Sequence, residues 1–246
     1  MKMHRRLALL LALPLLSAGS ALAQSGSWKN TAELYFQGAS MSGTTGIGPV
    51  EAQIDLPFSK ILSNLEFGAM AHYRGESRTF AVTADVMFSA LGATQDGTNG
   101  LQTTKVSADE WLVTATANWR ATEFVDVFAG ARFTSITDTI TLTPFTGNVR
   151  TGKLSQSWVD PVVGVWAKVP IGSGFSLEAY GDIGALGGSD FTWMLQGRVN
   201  WQLSRVVGFG LGYRALYQDY STGSGTDYFL WKVTTRGPLL AANVSF

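Results

Sequence analysis

The stretch DFTWMLQGRVNWQL, residues 190–203, puts an apolar or small residue at every odd position: Phe191, Trp193, Leu195, Gly197, Val199, Trp201 and Leu203. Apart from Met194, the even positions are polar or charged: Asp190, Thr192, Gln196, Arg198, Asn200 and Gln202. A helix would gather its apolar residues three and four apart, and Leu195 with Arg198 and Val199 breaks that spacing. Period two belongs to a strand, whose successive side chains point to opposite faces. Such a strand has one apolar face and one wet face. The apolar face can lie on a soluble core or against lipid.

The alternation recurs along the chain. Residues 65–74 set Leu65, Phe67, Ala69, Ala71 and Tyr73 against Glu66, His72 and Arg74. Residues 80–88 set Phe80, Val82, Ala84, Val86 and Phe88 against Thr83 and Asp85, and 110–120 set Trp111, Val113, Ala115, Ala117 and Trp119 against Glu110 and Arg120. Val125 to Phe133 oppose Asp126 and Arg132, Val159 to Val169 oppose Asp160 and Lys168, and Phe175 to Ile183 oppose Glu178 and Asp182. Val207 to Tyr213 oppose glycines and Arg214.

Two features select lipid. The apolar faces are nearly free of charge, and tryptophans mark strand ends, Trp111 with Trp119 and Trp193 with Trp201, as in the aromatic girdles of membrane barrels. A 14-residue strand at ~3.3 Å per residue is ~46 Å long, and a tilt of ~40° leaves ~35 Å of height, enough for a ~25 Å apolar band. Strands of soluble domains average about 5–6 residues. Charged residues make up 15%, against roughly 25% in soluble domains. The expected fold is an all-β, antiparallel up-and-down transmembrane barrel.

The N-terminus points to export. MKMHRRLALLLALPLLSAGSALAQ has a basic start (Lys2, Arg5, Arg6), an apolar run Leu7–Leu16, and small residues at Ala21 and Ala23. These are the parts of a cleavable secretory signal, residues 1–23. The run is too short to span a bilayer, and no later stretch approaches the ~20 apolar residues that a transmembrane helix needs. Cleavage removes three of the 18 Lys+Arg and none of the 18 Asp+Glu, leaving the mature chain (24–246) near −3. A faintly acidic exported protein is a poor nucleic-acid binder, and no such partner is expected. With no cysteine there is neither a disulfide framework nor thiolate chemistry.

Short links at 75–77, 121–122, 170–174 and 203–204 alternate with longer polar ones at 92–107, 143–156 and 221–227, while GGS at 187–189 is short where a long one is due. Outer-membrane barrels keep short turns in the periplasm and long loops outside, which sets the C-terminus in the periplasm. Nine strands begin near Leu65, so one more must precede them. Residues 29–40 and 49–56 compete for that place, and chain parity admits only one. We take 29–40 as the first strand and 42–63, with the amphipathic FSKILSNL, as an insertion capping or plugging the lumen. About ten strands result, with eight or twelve as alternatives. Pro161 and Pro238 fall inside strands, which predicts bulges or strand ends there. Gly208, Gly210 and Gly212 fall on the inward face, where small residues leave room for large neighbours.

The last residues, GPLLAANVSF, end on Phe246 with Val244, Ala242 and Leu240 alternating before it. A terminal aromatic closing an amphipathic strand is similar to the signal by which the outer-membrane barrel-assembly machinery recognises its clients. The segments WVDPVVGVWAKVPIG, SLEAYGDIGALGGSDFTWMLQGRVNWQLS, LGYRALYQDY and GPLLAANVSF, with GIGPVEAQIDLPFSKILSNLEFGAMAHY upstream, resemble an uncharacterised family of proteobacterial outer-membrane β-barrel proteins. The resemblance covers most of the mature chain. It implies an integral barrel in the outer membrane and supplies no established activity.

The candidate lumen-lining residues are Glu66, His72, Arg74, Asp85, Glu110, Arg120, Asp126, Arg132, Asp160, Lys168, Glu178, Asp182, Arg198 and Arg214. Charges of both signs in a confined interior must pair or meet water. The favoured reading is therefore a polar lumen filled by side chains, with a structural or surface-binding role working through the external loops. The alternative is a narrow channel for ions or small polar solutes, and a weaker one is a lipid-modifying enzyme. The latter would depend on His72, because His4 leaves with the signal. No nucleophile elbow, zinc-protease signature or phosphate loop occurs, and no catalytic site, cofactor or metal is expected. The expected partners are outer-membrane lipid and the assembly machinery, with the protein a monomer.

Overall fold

The computed structural model describes residues 28–96, 101–146 and 148–246, so the expected signal at 1–23 lies outside the described residues. Twelve strands occur among these residues: β1 Lys29–Gln37, β2 Ser40–Ile47, β3 Val50–Leu56, β4 Leu65–Glu76, β5 Phe80–Asp96, β6 Leu101–Arg120, β7 Val125–Pro144, β8 Arg150–Gly172, β9 Phe175–Gly184, β10 Phe191–Gln202, β11 Val207–Thr222 and β12 Phe229–Ser245. One short helix, α1 Phe58–Ser63, precedes β4. β4 to β12 pair in chain order, and β1 pairs with both β4 and β12, closing a ten-stranded antiparallel barrel. Both described ends of the chain lie at the end that carries the short turns.

The first spanning strand is the expected one, but it continues in a second piece. β1 runs along β12 to Gln37↔Leu239, skips Gly38 and Ala39, and resumes as β2 from Ser40↔Arg236 to Ile47↔Phe229. At this junction the Gly38 N–H donates to the Pro238 carbonyl at 2.8 Å. A Cβ on Gly237 would lie 2.0 Å from the Gly38 carbonyl oxygen, so the close approach requires glycine. Pro238 occupies the break between the β2 and β1 ladders, where its missing N–H is not needed. Pro161 is placed alike. It pairs with Ala131 on one side, whereas the β9 ladder begins one residue later, at Val162↔Gly184. Both prolines thus sit at ladder breaks within long strands, while the register shifts fall elsewhere, at 65/67, 101/103 and 170/172.

The polar links at 92–107 and 143–156 are largely strand: β5 reaches Asp96, β6 starts at Leu101, β7 reaches Pro144 and β8 starts at Arg150. Beyond the membrane both faces of a strand meet water, so the alternation fades while pairing continues. β-Branched residues, as in TITLT at 139–143, keep the backbone extended. The segment 42–63 builds wall: β2 and β3 form a hairpin on the outer half of β12, and α1 follows.

The outward faces carry the apolar residues and the girdles. Phe67, Phe88 and Trp111 pack as tilted rings near the outer boundary with centroids 5.9 and 4.5 Å apart, and Trp193 stacks on Tyr217 at 6.2 Å. Phe175, Trp201 and Phe209 form the periplasmic counterpart at 6.0 and 6.4 Å, with Trp119 68% exposed. Eight residues from Trp111 to Trp119 span about 26 Å along the strand. Phe246 lies on this outward face, and its N–H and carbonyl exchange 2.9 Å bonds with Asn30.

Inside, Gly208 and Gly210 are buried and Gly212 is half-buried. A Cβ on Gly212 would meet the Gly197 carbonyl oxygen at 2.3 Å and Arg198 Cβ at 2.5 Å. Gly212→Val is expected to cost about 1–3 kcal/mol through overpacking, seen as a lower urea midpoint of the refolded barrel. An unchanged midpoint would mean that the inward glycines are not there for space.

Candidate functional site

Alternate residues of each strand point inward, and most of the charge therefore converges on the lumen. Near the periplasmic end Arg74 pairs with Asp126 and, at 3.0 Å, with Glu76, while Arg120 lies 2.9 Å from Glu76 and 3.3 Å from Asp126. The Arg74 guanidinium also stacks over Trp166, 4.0 Å from the ring centroid. Alongside, Arg198 bridges Glu33 at 2.5 Å and Glu178 at 2.7 Å, and Asn200 donates to Glu178 at 3.2 Å. Lys168 faces Glu178 across the β8–β9 ladder.

Further toward the outside, Asp85 is the hub. It accepts from the Tyr35 hydroxyl at 2.8 Å and from Arg214 at 3.3 Å, and His72 Nδ1 lies 3.3 Å away. Arg214 also donates to the Tyr35 hydroxyl and to Gln196, both at 2.8 Å. Next comes Arg132, fully buried, which pairs with Asp182 and donates to Thr192 at 3.1 Å. Asp182 in turn accepts from the Tyr180 hydroxyl at 2.5 Å. Buried charges of this kind persist only when paired and hydrogen-bonded.

The short external link after β9 folds inward. The Gly188 N–H donates to the Val159 carbonyl at 2.8 Å, and Ser189 donates to Asp160 from both its N–H and its hydroxyl at 2.7 Å. The Trp158 indole completes that carboxylate's partners at 3.1 Å.

Of the expected lumen residues, His72, Arg74, Asp85, Glu110, Arg120, Asp126, Arg132, Asp160, Lys168, Glu178, Asp182, Arg198 and Arg214 are buried or half-buried on inward faces. Glu66 is placed differently: the register shift at 65/67 leaves it half exposed and paired with Lys105 at 3.0 Å. Glu33, Tyr35, Glu76 and Tyr180 join the networks without having been singled out. For Glu33 and Tyr35 the signal was their shared polar face in 32–38, and for Glu76 its alternation with Arg74. Trp111, Trp119, Trp193 and Trp201 all lie on the outward face.

Apolar residues add a transverse layer. Met87, Leu112, Met194 and Leu216 cluster across the lumen with Met70 and Tyr180 against them. Inward of this layer the cavity lined by His72, Asp85, Arg198 and Arg214 is only about 40 Å³, little more than one water. Outward of it lies a chamber of about 550 Å³, with Met70 and Met87 on its floor and Met41, Ile54, Ile61, Leu91 and Trp231 on its walls. Glu110 and Asp138 also line this chamber. A second cluster, of Ile136, Trp158, Tyr220 and Phe229, packs beside it, with Trp158 and Tyr220 stacked at 4.1 Å.

A closed antiparallel barrel with lipid-facing apolar strands, two aromatic girdles and an ion-paired interior defines an integral outer-membrane β-barrel protein of the Gram-negative envelope, and this chain is one. Among solved structures it is similar to the outer membrane protease OmpT from Escherichia coli, with a TM-score of 0.57 and 8% identity over 89% of this chain and 97% of that one. It is also similar to Ail, the attachment invasion locus protein of Yersinia pestis, with a TM-score of 0.41 and 10% identity over 89% and 99% of the two chains. At such identities the likeness extends to the fold alone. No family model and no curated protein matches the sequence.

Proposed function

We propose that this barrel is a non-conducting, non-catalytic binding protein of the outer membrane, held rigid by its filled lumen and working through its outer half. The observation that carries this reading is the succession of ion-paired layers and the transverse apolar layer, with the cavity among them at His72, Asp85, Arg198 and Arg214 no larger than about 40 Å³. A pore needs a continuous aqueous path. His72 faces that small cavity and is committed to Asp85, which Arg214 also holds. A lipid substrate has no room beside it. The C-terminal strand, ending on Phe246, serves as the signal to the assembly machinery.

The test is single-channel recording of the refolded mature protein in a planar bilayer. Electrically silent insertion is expected. Discrete, salt-dependent steps from protein shown to be folded would replace this reading with that of a narrow channel.

A further inference from the structure

The outer chamber has a gap in its wall. β1 and β4 pair only from Lys29↔Glu76 to Leu34↔Ala71, and β3 pairs with β2 alone. Outward of Leu34 and Ala71, the half of β4 from Leu65 to Met70 therefore has no strand beside it on the side away from β5. Nor has β3 on the side away from β2, among the described residues. Ala71 lies four residues inward of Phe67 in the outer girdle, so the gap begins within the outer leaflet. α1 lies at this gap, its Phe58 ring edge-on to Phe36 at 6.3 Å and the carbonyl of the following Asn64 accepting from the Gly92 N–H at 2.8 Å.

We propose that this gap is a lateral portal and that the chamber takes the hydrocarbon chain of an ammonium-headed amphiphile from the outer leaflet. The inference deepens the binding role proposed above and rests on it. At the height where the gap begins the surrounding solvent is hydrocarbon, and Phe36 and Leu62, 45% and 49% exposed, carry an apolar surface from lipid to the chamber. A chamber of about 550 Å³ is within the range of about 300–1,000 Å³ typical of small-molecule sites. Most of its lining is apolar, which favours a hydrocarbon chain over water.

The wall also selects the head group. Glu110 and Asp138 face the chamber beside Trp111, at head-group height. Among the described residues neither is within ion-pair distance of a Lys, Arg or His side chain, whereas the carboxylates deeper in the lumen, such as Asp85, Asp126 and Asp182, are paired. No cluster of three metal-ligating groups occurs among the described residues. Asp109 also lies on the lining without an ion-pair partner among the described residues, and a cationic head group complements these carboxylates while a carboxylate or phosphate head group is repelled by them.

The test uses the full mature barrel refolded into phosphatidylcholine vesicles and probed by spin-label spectroscopy. The two probes are a chain-nitroxide octadecylammonium amphiphile and its carboxylate counterpart. A strongly immobilised population is expected, with affinity about tenfold higher for the ammonium probe, equivalent to roughly 1.4 kcal/mol. Ser89→Phe and Ala108→Phe each push a ring into the chamber and should sharply reduce that population in protein whose heat-modifiable migration shows it folded. The double variant Glu110→Gln/Asp138→Asn should keep immobilisation and reduce the preference severalfold. Immobilisation surviving both filling variants would locate the probe on the outer surface and overturn the proposal, as would stronger binding of the carboxylate probe. Either failure leaves the bilayer recording untouched, so portal and sealed lumen are judged separately.

Discussion

Arg132→Met is expected to lower the stability of the barrel by about 3–5 kcal/mol, the cost of leaving a buried charge without its partner. Arg132 has no exposed surface, and Asp182, 3% exposed, keeps only the Tyr180 hydroxyl once the guanidinium is gone. Thr192 and Thr114 lose a donor as well. The effect is read from urea unfolding in vesicles, as a lower midpoint at unchanged slope. The double variant Arg132→Met/Asp182→Leu should recover most of the loss, because an apolar pair of similar volume commonly replaces a buried ion pair without penalty. A single variant within 1 kcal/mol of the parent would show that water reaches Asp182, contrary to a filled interior.

Leu195→Arg should cost about 2–4 kcal/mol, the penalty for arginine on the lipid face near mid-membrane. Leu195 is 58% exposed on the outward face, between Trp193 and Trp201. The matched control is Leu203→Arg, at 55% exposure beyond the periplasmic girdle, where the expected cost falls to about 0–1 kcal/mol. Equal effects at the two positions would contradict the placement of the girdles.

The barrel was legible in the sequence because lipid imposes a strict rule on every second residue, and any strand crossing the apolar band must obey it. Phe191 to Leu203 obey it, and so does the final strand through Leu240, Ala242 and Val244. That rule also gave the lumen face, since each inward residue is the neighbour of an outward one. What escaped lies where the rule lapses. Past the outer girdle, Thr139 to Thr143 face water on both sides and read as a loop although they are paired. The register shift at Leu65/Phe67 turned Glu66 out of the face that His72 and Arg74 share. The chamber was not legible at all. It arises because β4 parts from β1 beyond Ala71, and such a loss of pairing between two strands leaves no mark in the alternation of either.

One consequence follows from the way β12 is shared. Its inner portion, Leu239–Ser245, joins the two ends of the chain, while its outer portion, Phe229–Arg236, holds the β2–β3 hairpin. Gly237 and Pro238 lie between them, yet on the other side of the strand they pair with Arg214 and Tyr213 of β11 in an unbroken ladder. The strand that closes the ring is thus also the support of the outer hairpin, and the rim inherits its position from the seam.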